Sequence, residues 1–225
     1  MKDKKIFAYK TCFKKIFIIF VIGCIFGNYY EMILNLIRHY LKDGTIFWEV
    51  RRGVIYGPFS PVYGLGAALI TKLLADKNYK WWKIILYGAL LGGSIEYILN
   101  FLQEKFVGTA SWNYSKYFLD INGRTTIPIM ILWGVICLIF VKIVYPFLSN
   151  LIESVPIKIG NIFYYILLVF LSLDMFISFS AVIRQSLRRN DVPAYTFYGE
   201  FLDRFYTDER LKRAYPNMWV VKKRK

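Results

Sequence analysis

Histidine and cysteine are nearly missing from this chain, which holds one histidine, His39, and three cysteines, Cys12, Cys24 and Cys137, among 225 residues. The cysteines are odd in number, lack metal-ligand spacing and lie partly in apolar runs, which excludes a disulfide framework. His39 falls at the end of an apolar run and reads as an interfacial residue, so neither a His/Cys metal cluster nor a Ser–His–Asp set is available. No metal and no cofactor is expected. A Gly-x-x-x-x-Gly-Lys-Ser/Thr phosphate loop is also missing, so any use of ATP requires a separate subunit. Acidic residues are scarce: 15 against 30 basic ones, a net charge of +15. The basic residues flank apolar runs, which points away from nucleic acid and towards anionic lipid headgroups, with anchoring of the runs as the simplest role for the charge.

What the chain has instead is apolar length. It is 56% hydrophobic and 19% aromatic, with mean hydropathy +0.38, values that soluble domains rarely combine with runs of this length. A bilayer crossing needs about 20 mainly apolar residues, and five segments qualify: 16–37, 58–75, 84–102, 127–147 and 159–183. The first follows Lys2, Lys4, Lys5, Lys10, Lys14 and Lys15, like the start of a signal peptide. No small-residue cleavage site follows, and Glu31 and Asn35 come instead, so an uncleaved first helix is expected. The segment 58–75 is short and carries Pro58, Pro61, Gly57, Gly64 and Gly66. A broken or re-entrant helix and a surface turn remain open there; a full crossing with an irregular start is favoured. Five crossings put the two ends on opposite sides. Both ends are basic, which leaves the orientations close to a tie under the positive-inside rule, with a cytoplasmic C-terminus preferred.

One motif occurs twice. Gly27-x-x-x-Glu31-x-Ile33-Leu34-Asn35 is matched by Gly92-x-x-x-Glu96-x-Ile98-Leu99-Asn100. Gly53, Pro58, Tyr63 and Gly64 follow the first copy, and Gly123, Pro128, Trp133 and Gly134 follow the second at the same mutual spacing. Residues 16–76 and 84–147 thus read as two copies of one helix–loop–helix unit. The expected fold is all-α: a polytopic membrane helical bundle of about five transmembrane segments with this tandem repeat in a core of 16–147. A basic tail 1–15 precedes it, the fifth transmembrane helix 159–183 follows, and a basic amphipathic tail 184–225 ends the chain. In that tail Phe197, Phe201, Leu202 and Phe205 can share one helix face, as for a helix docked on the bundle or the membrane surface.

Carboxylates in hydrocarbon are costly and mark function or pairing. On a helix Gly27, Glu31 and Asn35 share a face, as do Gly92, Glu96 and Asn100, with Glu104 a further turn on. The glycines permit close helix approach, which aims each carboxylate at a neighbouring helix. The loops after each copy return Arg51, Arg52 and Gly53, and Asn122, Gly123 and Arg124, to the same side. Glu31 with Arg51 or Arg52, and Glu96 with Arg124, are the natural pairings; a structural ion pair and a substrate or ion site stay open alternatives. Asp174, in the fifth segment, is expected to face the bundle and to bond Ser178 or a tyrosine.

The run Arg51-Arg52-Gly53-x-x-Tyr56-Gly57-Pro58-Phe59-x-Pro61-Val62-Tyr63-Gly64-x-Gly66-Ala67 resembles the signature of the CmpB-like, or type IV, ABC-transporter permease family. Glu96, Trp112-Asn113-Tyr114-Ser115, Asn122-Gly123-Arg124, Trp133-Gly134 and Tyr215-Pro216-Asn217-Met218 extend the resemblance over nearly the whole chain. It implies a small bacterial multi-pass protein of the cell membrane. The family typically has a single Arg before the glycine at Gly53, a place for which Arg51 and Arg52 compete here. The expected function is a permease subunit of unknown substrate, with membrane lipid around it and an ATPase subunit or another membrane protein as partner. The alternative is a membrane-embedded enzyme, using Glu96 or Asp174 as acid and base, or a scaffold or regulator acting on lipid or a partner protein.

Overall fold

The computed structural model describes residues 6–221; Lys2, Lys4, Lys5 and the final Lys222-Lys223-Arg224-Lys225 lie outside them. Four helical stretches are long and apolar enough to cross a membrane: Phe13–Asp43, Trp81–Val107, Ile127–Ser154 and Ile157–Arg189. The first, α1 (Phe13–Asp43), ends at Gly44, whose φ of +66° suits the left-handed position after a helix and lets its N–H donate to the Tyr40 carbonyl. The same device at Gly108, φ +69°, closes α3 (Trp81–Val107) onto Glu104.

The segment between them is shorter than its sequence range. Helix α2 runs Pro61–Ile70 and ends in a π-turn, Thr71–Ala75. Pro58 precedes the helix, and Pro61 opens it, where a missing N–H costs nothing. The 15 residues Pro61–Ala75 span roughly 22 Å against an apolar core of about 30 Å.

The fourth stretch is α4 (Ile127–Ile139), a π-turn (Phe140–Val144) and α5 (Tyr145–Ser154). Thr126 caps it, its hydroxyl accepting from the Ile129 N–H at 3.2 Å. It extends past the expected end at 147, because Pro146 sits in the first turn of α5 and continues the helix. The two π-turns pack against one another. Helix α6 (Ile157–Arg189) is likewise longer than 159–183.

Side-chain contacts set the directions. Gly27 meets Tyr63 and Gly23 meets Ala67, so α1 and α2 are antiparallel; Gly92 meets Trp133 and Gly88 meets Cys137, so α3 and α4 are too. Phe7 lies on Gly160, Phe17 stacks edge-on against Tyr164 at 5.5 Å, and Leu171 joins Cys24 in one apolar cluster, so α6 runs parallel to α1. The chain therefore runs five times along the bundle, four of the runs long and apolar enough to cross a membrane, and the start of α1 and the end of α6 lie at opposite ends. Outward residues of α6 such as Phe163, Ile166, Phe170 and Leu173 are exposed, as a lipid-facing surface requires.

Two departures from the sequence reading concern the tails. Lys15 is not a flanking charge: it is fully buried at the start of α1, donates to Ser149 at 2.7 Å and pairs with Glu153. The C-terminal tail is two helices, α7 (Phe197–Phe205) and α8 (Asp208–Ala214), folded back on the bundle. Leu202, Tyr206 and Leu211 bury there against Ile55 and Ala181. Phe197, expected on the same apolar face, is 86% exposed, because the docking face is centred on Leu202 and Tyr206. A two-residue strand, β4 (Trp219–Val220), finishes the tail by pairing antiparallel with β1 (Thr109–Ala110). A second pair, β2 (Asp120–Ile121) and β3 (Thr125–Thr126), shapes the loop before α4.

Candidate functional site: two carboxylates joined by two aromatic donors

Glycine sets the site. A Cβ at Gly27 would overlap the Tyr63 ring, and one at Gly92 would overlap Trp133. At Gly64 it would strike Cys24 Sγ and the Phe20 carbonyl, and at Gly134 the Ile85 carbonyl. With hydrogen alone at these positions the helices of each pair approach closely, and each aromatic side chain lies across the partner glycine. One turn further along α1 and α3 stand the carboxylates. The Tyr63 hydroxyl donates to Glu31 Oε1 at 2.8 Å. The Trp133 indole N–H donates to Glu96 Oε1 at 3.1 Å, and the Thr125 hydroxyl to Glu96 Oε2 at 2.8 Å.

The two rings then meet each other. Tyr63 and Trp133 have centroids 6.0 Å apart, so a continuous polar and aromatic chain runs Glu31–Tyr63–Trp133–Glu96–Thr125. Glu96 is 8% exposed. A crevice lined by Val62, Gly66, Ile95, Glu96 and Trp133 adjoins it; its volume of about 10 Å³ is near the minimum for one water. Chemically, each carboxylate is held as an acceptor by neutral donors; water barely reaches Glu96, whereas Glu31 is half-buried.

The basic residues make their ion pairs elsewhere, and neither expected Glu–Arg contact forms, although Arg51 and Arg38 act on Glu31 through space. Arg124 pairs with Glu104 at 2.6 Å and lies over the rings of Tyr97 and Phe101. The cause is the loop: Trp112 Nε1 donates to the Arg124 carbonyl at 3.0 Å, and Tyr114 N–H to the Gly123 carbonyl at 2.8 Å. This turns the arginine towards the last turn of α3 while Thr125 points inward. Arg51 pairs with Glu49 at 2.5 Å, within its own loop. Arg52 makes no hydrogen bond among the described residues, and its Nε is buried without an acceptor. Among those residues no ion pair reaches Glu31 or Glu96.

The remaining predicted residues frame this centre. Asn35 Nδ2 donates to the Glu31 carbonyl at 2.8 Å within α1, and Asn100 Nδ2 to the Trp112 carbonyl at 2.9 Å. The first asparagine stays in its helix; the second ties down the loop that carries Thr125. Gly53 N–H donates to the Phe59 carbonyl at 2.9 Å, and a Cβ on Gly53 would crowd Pro61. Gly57 turns the chain at φ +71°. Asp174 is 2% exposed and belongs to a different cluster. Its Oδ1 accepts from the Ser178 hydroxyl at 3.1 Å and from the Tyr56 backbone N–H at 3.2 Å, while Oδ2 has no hydrogen-bond partner. The Ser178 bond agrees with the sequence expectation.

Three contacts escaped the sequence reading: the donor Thr125, the arginine partner of Glu104, and an ion-pair group in the tail. Thr125 follows directly on Asn122-Gly123-Arg124, and only the two-residue β2–β3 pairing shows that it points inward. Glu104, on the Glu96 face of α3, carried a signal in its spacing. The tail holds a third group: Arg184 grips Asp203 through two bonds of 2.8 Å, and Arg188 bridges Asp203 and Asp208 at 2.6 and 2.7 Å. Hydrogen bonds from Arg184 outweigh desolvation at Asp203 and, with Arg188, hold its carboxyl below the usual aspartate value.

No curated protein and no solved structure matches this chain. A family model does, over residues 18–179. That stretch holds both carboxylates, both aromatic donors and Asp174, and it exceeds half of the chain. The chain therefore belongs to the family described as "Putative ABC-transporter type IV".

Proposed function

We propose that this protein is the cell-membrane permease subunit of a transporter, energised by a separate ATPase subunit, with the Glu31–Tyr63–Trp133–Glu96 chain as its polar working element. The observation that carries this reading is the placement of two carboxylates, Glu96 buried and Glu31 half-buried, each held by neutral donors and neither in an ion pair among the described residues. Such groups can accept a proton or a cationic or hydrogen-bond-donating part of a cargo, whereas a carboxylate locked to arginine cannot. The two glycine-packed helix pairs meet at the two rings, so a change at one carboxylate is felt at the contact between the pairs. The crevice beside Glu96 is too small for cargo in this conformation, so passage requires the helix pairs to separate.

The test is a pull-down of the tagged full chain from its native membrane, wild type beside Glu31→Gln and Glu96→Gln. A P-loop ATPase recovered stoichiometrically, with ATP turnover altered by either variant, supports the reading. Recovery of a single dominant protein without ATPase activity, equally with wild type and variants, would replace it by a scaffold role.

A further inference from the structure

At the end of the bundle that carries both carboxylates, the loop between α1 and α2 and helix α8 enclose an open pocket of about 530 Å³. Arg52, Arg210 and Arg213 line it, with Tyr56 and Thr207 as further polar walls and no carboxylate among its lining residues. Three guanidiniums in one pocket repel, and the usual remedy is a facing acid. Here none lines the pocket: Asp203 and Asp208 are committed to Arg184 and Arg188 on the other side of the tail. Asp174 lies behind Arg52 and acts on it through space, but the two are not in ion-pair contact. Arg52 leaves its buried Nε without an acceptor, and Arg213 is exposed and makes no hydrogen bond among the described residues. Only Arg210 is held, donating to the Phe205 carbonyl at 2.8 Å and the Tyr56 hydroxyl at 3.0 Å, with its guanidinium 4.9 Å from the Tyr206 ring centroid.

We infer that this pocket binds a phosphate group. Guanidinium forks match phosphate oxygens in geometry and charge, and arginine is the residue of choice for that recognition. The pocket volume lies within the range of small-ligand sites, about 300–1,000 Å³, so it takes a phosphate with a polar substituent. The last turns of α6, on which α7 and α8 dock, add Arg188 and Arg189, and a basic surface of this kind attracts anionic lipid headgroups. A phospholipid headgroup and a water-soluble phosphate share this chemistry, and the site is the same for both. Tyr206 and Tyr215 are packed beneath the pocket walls, which ties occupancy to docking of α7 and α8.

The experiment uses the purified full chain in neutral detergent. Phosphatidylglycerol, phosphatidylcholine and inorganic phosphate are added separately, with melting temperature and native mass spectrometry as readouts. Phosphatidylglycerol, but not phosphatidylcholine, should raise the melting temperature and remain bound in the mass spectrum. Arg213→Gln and Arg52→Gln should each weaken that effect by about tenfold or more, the size of one charge-assisted hydrogen bond. A response to phosphatidylglycerol alone identifies a lipid headgroup; an equal response to inorganic phosphate identifies a soluble ligand. Because Arg213 makes no bond to the described fold, its variant keeps the structure. Binding of neither phosphatidylglycerol nor inorganic phosphate, or binding unchanged in both variants, overturns the proposal.

Discussion

Two residues after Gly53 the chain places Ile55, and two residues after Gly123 it places Thr125. The loops of the two helix pairs also differ in length, and the residues at these matched places meet different neighbours. Thr125 turns inward and adds a second donor to Glu96. Ile55 is 4% exposed in an apolar cluster with Ala181, Leu202 and Leu211, and its N–H donates to the Ser178 hydroxyl at 2.9 Å. The α3–α4 loop therefore completes its own carboxylate site, whereas the α1–α2 loop is spent on docking α6 and the tail. Among the described residues the Glu31 carboxylate has one hydrogen-bond donor, Tyr63. Matching motifs thus fix how the helices pack but not the electrostatics of the carboxylates between them, which depend on what the loop has to bury.

The largest expected effect tests the part the two pairs share. Replacing Gly64 or Gly134 by valine puts atoms against backbone carbonyls that cannot move aside. Each should cost at least the 1–3 kcal/mol typical of overpacking and lower the detergent-solubilised melting temperature alike. A much smaller loss in one pair would break the equivalence.

The next test reads the difference between the pairs. Glu96→Ala strands two donors and Glu31→Ala strands one, at roughly 1–3 kcal/mol per buried unsatisfied group. Glu96→Ala should therefore destabilise more, as thermal unfolding would show, and Thr125→Val should recover part of the gap when combined with it. Equal losses would mean that Thr125 contributes nothing.

A smaller effect locates the arginine. A double-mutant cycle on Arg124 and Glu104 should show coupling of about 0.5–1 kcal/mol for this partly exposed pair, and the cycle on Arg124 and Glu96 should be additive. The reverse pattern would restore the pairing suggested by spacing.

The mildest test concerns the tail that Ile55 holds. Hydrogen bonds from Arg184 keep Asp203 below its ordinary value, so its contribution to stability is present above the ordinary aspartate value of about 4 and is lost as pH falls below it. Protease cleavage of α7 and α8 should become faster below about pH 4, and Asp203→Asn should weaken that pH dependence, leaving the part that Asp208 carries through Arg188. Cleavage that is independent of pH would show that Leu202 and Leu211 alone hold the tail.

The apolar runs and the two-copy motif were open to reading because each acts locally, as do the capping glycines that the structure shows. A span needs only length and hydropathy, Gly44 and Gly108 end helices by their own backbone freedom, and residues four apart share a helix face whatever surrounds them. The sequence alone therefore determined an all-α multi-pass chain, the family, and the facing of Glu31 and Glu96 towards a neighbouring helix. Tertiary structure decided which partners those carboxylates take. Charge and loop spacing favoured arginine, but Trp112 and the β2–β3 pairing rotate Arg124 to Glu104, Arg51 turns to Glu49, and close glycine packing delivers Tyr63 and Trp133 instead. Burial of Lys15 against Glu153, and of Ile55 beneath α7 and α8, were decided the same way. Contacts between residues distant in the chain depend on which surfaces meet once the helices have packed, and no local period carries that information.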